Sequence, residues 1–71
     1  NYYAAAAAEL ETFLQFDPDN AQAHFEAGRL YAQELNDVAR AAVHYKRVIG
    51  LKPGHPQAVT IRYWLIRNKT N

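Results

Sequence analysis

Slid by 35 residues against itself, this chain lays Tyr3 to Ala32 over Val38 to Arg67 and matches itself at seven positions. The identical pairs are Ala4 with Ala39, Ala6 with Ala41, Ala7 with Ala42, Pro18 with Pro53, Gln22 with Gln57, Ala23 with Ala58, and Leu30 with Leu65. Between them apolar character persists: Tyr3 meets Val38, Leu10 meets Tyr45, Phe13 meets Val48, Leu14 meets Ile49 and Phe16 meets Leu51. The register therefore sets core positions on core positions. A shared period of this length marks a stacked helical repeat, whose units each bury their apolar faces against neighbours. Size presses the same way. At 71 residues the chain makes one domain at most, and a domain so small buries only about 60% of its unfolded surface. With no cysteine, it has neither disulfides nor thiolate metal sites to help.

Local signals divide the repeat into four helices. From Tyr2 to Phe16, five consecutive alanines precede Leu10, Phe13 and Leu14, which fall on one helical face. Asp17-Pro18-Asp19-Asn20 ends this helix, because Pro18 disfavours helical geometry at Asp17, and Asn20 is a good N-cap for a second helix. That helix runs from Ala21 to about Glu34, with Phe25, Ala27, Leu30 and Tyr31 at helical spacing. Gly28 interrupts it at a cost of about 1 kcal/mol relative to alanine, which points to a close helix contact. A bulky residue there is expected to be destabilising through overpacking. The turn at Leu35-Asn36-Asp37 supplies a capping side chain for a third helix, Val38 to Leu51, with a stripe of Val38, Ala41, Ala42, Tyr45, Val48 and Ile49. Lys52-Pro53-Gly54-His55-Pro56 is the next break, with His55 as an N-cap and Pro56 just inside a fourth helix, where a missing N–H costs nothing. This last helix spans 56–67, with Val59, Tyr63 and Ile66 on one face and Ile61 and Leu65 beside it, before a polar tail from Asn68 to Asn71.

The complete unit, 21–53, carries His24-x2-Ala27-Gly28-x2-Tyr31, then Ala41-x3-Tyr45, then Pro53. It resembles the tetratricopeptide repeat, whose pattern is W-x2-L-G-x2-Y, A-x3-F, P. Gly28, Tyr31, Ala41, the aromatic Tyr45 and Pro53 fit; His24 stands for the usual Trp and Ala27 for the usual Leu. An extra residue in the turn around Leu35 and Asn36 accounts for a period one longer than the family's. The resemblance implies an all-α fold of antiparallel helix pairs stacked as a short right-handed α-solenoid. In it, 2–16 is the second helix of a preceding unit and 56–67 a following or capping helix. Arg62 and Tyr63 occupy the places of Ala27 and Gly28 there, which suits a helix covering an open end.

In this family the first helices of successive units line a concave groove that grips a peptide of a partner protein. The matching positions are Gln22, Phe25, Glu26, Arg29 and Gln33 on the second helix, and Gln57, Thr60, Ile61, Trp64 and Arg67 on the fourth. Mixed polar and aromatic residues suit a peptide's amides plus one apolar anchor. Some members clamp a C-terminal carboxylate; with Arg29 alone, and Phe25 where a Lys is needed, that activity is not expected. Arg29 has a plainer reading as a solvated partner of Glu26 or Gln33, and Trp64 as a packing residue on the preceding helix.

Other functions find little support. Net charge is +1, from eight Lys and Arg against seven Asp and Glu, which exerts no long-range pull on nucleic acid or anionic membrane. No apolar run reaches the roughly 18 residues needed to cross a bilayer, and the Ala-rich start lacks a basic n-region. Lacking Met even at position 1, the chain reads as an excised or processed segment. His24, His44 and His55 lack helical ligand spacing with a third donor, so structural roles are expected, with His24 half-buried. No phosphate loop, activated nucleophile or facing acid pair can be assembled, so neither an enzyme nor a cofactor site is expected. Asn68-Lys69-Thr70 matches a glycosylation acceptor, a tripeptide frequent by chance. Two other readings stay open. One is RNA binding, since pentatricopeptide repeats are also helix pairs. The other is self-association through the end faces, Tyr2, Tyr3, Leu10 and Phe13 on one side and Trp64, Leu65 and Ile66 on the other.

Overall fold

A computed structural model describes residues 1–69, so Thr70 and Asn71, the end of the polar tail and of the acceptor tripeptide, lie outside the described residues. The fold is all-α, with four helices and, among the described residues, no strand. They are α1 (Tyr2–Phe16), α2 (Ala21–Arg29), which continues as a π-helical turn (Leu30–Glu34), α3 (Val38–Leu51) and α4 (Ala58–Asn68).

Caps set where three of them start. Asn1 Oδ1 accepts from the N–H groups of Tyr3 and Ala4, Asn20 Oδ1 from Ala23 at 2.8 Å, and Asp37 Oδ1 from Arg40 at 3.0 Å. Each satisfies donors that a first helical turn leaves open. The start of α4 differs from expectation: Pro56 lies in a lead-in turn, and the helix begins at Ala58. His55 governs that turn, because its Nδ1 accepts from the Gln57 N–H at 3.0 Å. At the other end α4 reaches Asn68, whose Nδ2 donates to the Trp64 carbonyl at 2.9 Å. The polar tail thus begins one residue later than the sequence suggested.

The second helix widens at its end, where Leu35 N–H donates to Leu30 C=O at 3.0 Å across five residues. Asn36 then reverses the chain at φ 54, left-handed geometry that Asn tolerates better than most residues.

Helices pack in chain order, α1 on α2, α2 on α3 and α3 on α4. Ala7, Ala27, Tyr31 and Ala41 form one buried cluster, and Tyr45, Val48 and Ile61 another, with Trp64 packed against both. Of the stripe predicted for α3, Ala41, Ala42, Tyr45 and Val48 are buried and Val38 and Ile49 half-buried, while His44 beside it is buried as well. On α4, Val59, Tyr63 and Ile66 do share a face, but it is the outer one, 78%, 64% and 66% exposed; Ala58 and Ile61 are buried instead. Tyr63 therefore lies over the outside of α4, where the Arg67 guanidinium approaches its ring. Gly28 faces the ring of Tyr45, so close that a side chain at residue 28 would meet it. The glycine marks the tight crossing of α2 and α3.

Candidate functional site, a groove between α2 and α4

Because each helix packs on the next, the backbones of α2 and α4 do not approach one another. The gap between them is a cavity of about 300 Å³ lined by Phe25, Arg29, Gln33, Gln57, Thr60 and Trp64, with Tyr45 and Ile61 completing the lining. Helical spacing explains the assembly: residues 25, 29 and 33 recur every four positions along one face, and Gln57, Thr60, Ile61 and Trp64 fall three or four apart at the start of α4. Its apolar part is fixed in place by packing. Tyr45 meets Trp64 edge to face, with ring centres 5.1 Å apart, and Phe25 lies 6.3 Å from Tyr45 and 5.2 Å from His55.

Not every residue matched to the groove lines it. Gln22 and Glu26 turn aside into a chain of hydrogen bonds that ties the start of α2 to the loop before α4. His55 Nε2 meets Gln22 Oε1 at 3.2 Å, Gln22 Nε2 donates to Glu26 Oε2 at 3.3 Å, and Arg29 Nε donates to Glu26 Oε1 at 3.2 Å. Arg29 thus has the plainer partner anticipated for it, and its charge is balanced before any ligand arrives. Trp64 has both roles, packing on Tyr45 while presenting itself to the cavity. A second cavity of about 230 Å³, lined in part by Tyr2, Tyr3 and Ala6, adjoins the first, and Arg29 and Gln33 border both. Pro53 lies in the exposed turn after α3, away from either cavity.

Behind the groove lies a polar cluster that the sequence did not reveal. His24 is buried, not half-buried, and both its ring nitrogens are engaged: Nδ1 with His44 Nδ1 at 2.9 Å and Nε2 with the Pro18 carbonyl at 2.7 Å. His44 Nε2 reaches Glu11 Oε2 at 3.0 Å, and Tyr31 Oη donates to the same oxygen at 2.9 Å. The Pro18 carbonyl and the Glu11 carboxylate can only accept. All three links are therefore filled when the two rings carry three protons between them, one positive charge facing one negative. This assignment follows from hydrogen bonding, since ring protons are placed by their partners. Among the described residues, no three His, Asp or Glu side chains gather as a metal site.

Burial by itself would push the Glu11 carboxyl up, but the hydrogen bonds from His44 and Tyr31 and the charges of His44 and Arg40 hold it below its usual range. Asp37 is lowered as well, by the N–H and guanidinium of Arg40. A carboxyl lowered on folding adds stability that is fully present above its unfolded pKa and is lost as pH falls through its folded one. The urea midpoint is accordingly expected to drop below about pH 4.5, the ordinary value for Glu. Glu11→Gln should flatten that decline; an unchanged acid profile in the variant would contradict the role given to Glu11.

Set against models of protein families, curated proteins and solved structures, the chain matches none. What the groove can do has to come from its own residues. No helix among the described residues is long and apolar enough to cross a membrane.

Proposed function

We propose that this chain is a segment of a helical-repeat scaffold of the tetratricopeptide kind, and that the groove between α2 and α4 binds an extended peptide of a partner protein. One observation carries the reading: residues at matching places of the repeat in the second and fourth helices, Phe25 with Thr60 and Arg29 with Trp64, line a single cavity. That cavity is of a size to take one large apolar side chain, with aromatic rings at its walls. Gln33, Gln57 and Thr60 supply donors and acceptors for the amides on either side of such an anchor. With Arg29 paired to Glu26, nothing in the groove offers an unbalanced cation, so an internal peptide segment suits it better than a terminal carboxylate. The same balance disfavours RNA, whose binding rests on charge.

Peptides selected from a display library against the purified chain, then titrated calorimetrically, test this. Phe25→Ala is expected to weaken binding about tenfold or more, the loss typical of a buried aromatic anchor. Thr60→Trp, at an exposed position on the cavity wall, should block it by filling the space, and Val43→Ala on the exposed side of α3 should change nothing. Equal affinities in all four proteins would move the site off the groove.

A further inference from the structure

Beyond the groove, the two outer helices carry faces that the internal repeat makes counterparts of each other. In the middle of the molecule α2 and the π-helical turn that continues it bury His24, Ala27, Gly28 and Tyr31, with His24 and Gly28 directly against α3 and Tyr31 stacked on His44. A shift of 35 residues turns them into Val59, Arg62, Tyr63 and Ile66, and on α4 all four are exposed. In the same way His44 and Val48, buried on α3, become Glu9 and Phe13 on α1, and the half-buried Leu51 becomes Phe16, 82% exposed. So α4 shows the face that α2 gives to α3, and α1 shows positions that α3 gives to the helices around it. Charge matches too: the outer face of α1 holds Glu9, Glu11 being turned inward to His44 and Tyr31, and α4 holds Arg62 and Arg67 with no acidic residue.

From this we infer that copies of the chain stack head to tail, the outer face of α4 in one copy covering the outer face of α1 in the next. Tyr63 replaces Gly28 at this contact, so it cannot repeat the tight α2–α3 crossing. The run of alanines on α1 offers small residues that leave room for the ring. Arg62 comes toward Glu9, which makes the contact sensitive to salt. Such an interface is heterologous and does not close on two subunits, so it builds an open series of species. None of its residues lines the cavity between α2 and α4, and a peptide can occupy the groove whether or not copies are stacked.

Sedimentation velocity over a wide concentration range tests the inference with two variants at exposed positions, each checked for an unchanged helical spectrum. The unaltered chain is expected to rise past the mass of a dimer as concentration increases, and to fall back in high salt. Ile66→Asp, blocking α4, and Phe16→Asp, blocking α1, should each be monomeric alone. Mixed in equal amounts they should form a dimer and stop there, because each supplies the one face the other retains. A chain that stays monomeric throughout would overturn the proposal. So would Phe16→Asp that still dimerises alone, the mark of symmetric pairing through α4, or a mixture that stays monomeric.

Discussion

Gly28→Ala lowers the stability of this chain by about 1–3 kcal/mol, the cost of an overpacked core, although the same exchange in an open helix raises it by about 1 kcal/mol. The reversal of sign follows from the crossing of α2 and α3. A Cβ at residue 28 falls 2.6 Å from Tyr45 Cδ1 and 2.7 Å from Cε1, well inside van der Waals contact. These atoms belong to a rigid ring that is only 5% exposed, not to the end of a mobile chain. Trp64 stands edge-on to that ring, 5.1 Å away, so the ring cannot retreat without disturbing the groove. For a domain of this size each kcal/mol is worth about 4–8 °C in Tm, which thermal unfolding resolves easily. In a Tyr45→Val background the ring is gone, and the same glycine exchange should cost much less. An unchanged or raised Tm for Gly28→Ala alone would show that the two helices do not cross as described.

His44→Phe is the second large effect. It preserves a flat ring beside Tyr31, now stacked at 5.7 Å, while deleting the links to His24 and Glu11. Glu11 is half open to water and keeps Tyr31 as a donor, so it loses little. His24 is 7% exposed and is left with a buried nitrogen lacking its partner, at about 1–3 kcal/mol. Urea unfolding followed by the fluorescence of Trp64, the single tryptophan, measures this. Wild-type stability in His44→Phe would mean that the histidine pair is incidental to the fold.

The two predictions touch features of different legibility. Gly28 could be read from the sequence, because a glycine inside an apolar helical run calls for a close neighbour, but that the neighbour is the ring of Tyr45 shows only in the fold. The ends of the first three helices were legible for similarly local reasons, with Pro18, Asn20, Asp37 and Pro53 in the breaks. Groove residues 25, 29, 33, 60 and 64 could be found because period and helical spacing together fix which side of α2 and α4 faces the gap. The histidine cluster could not. His24 and His44 are 20 residues apart, Glu11 and His44 are 33 apart, and no periodicity announces a polar contact across three helices. Gln22 and Glu26 were placed in the groove for the same reason: spacing puts them near it, and only their partners His55 and Arg29 show where they turn. The π-helical turn left no mark either, since nothing in the spacing from Leu30 to Glu34 tells a five-residue turn from an ordinary helical one. On α4, apolar residues run nearly all the way round, so the pattern could not tell the buried face of Ile61 from the open face of Val59 and Ile66.

A half-buried aromatic surface and a buried polar cluster divide the work in this small fold. His24, His44, Glu11 and Tyr31 join α1, α2 and α3 from behind, while Tyr45, Phe25 and Trp64 form a firm apolar surface in front. A groove whose walls are held by packing can receive a peptide without first ordering itself, which reduces the entropy lost on binding. Amide chemical shifts of the isotope-labelled chain, followed as a library-selected peptide is added, test that claim most directly. The groove reading predicts that shifts gather at Gln33, Thr60 and the Trp64 indole N–H and spare Ala39 and Val43 on α3. Shifts confined to the outer faces of α1 or α3, with the Trp64 indole unmoved, would contradict it.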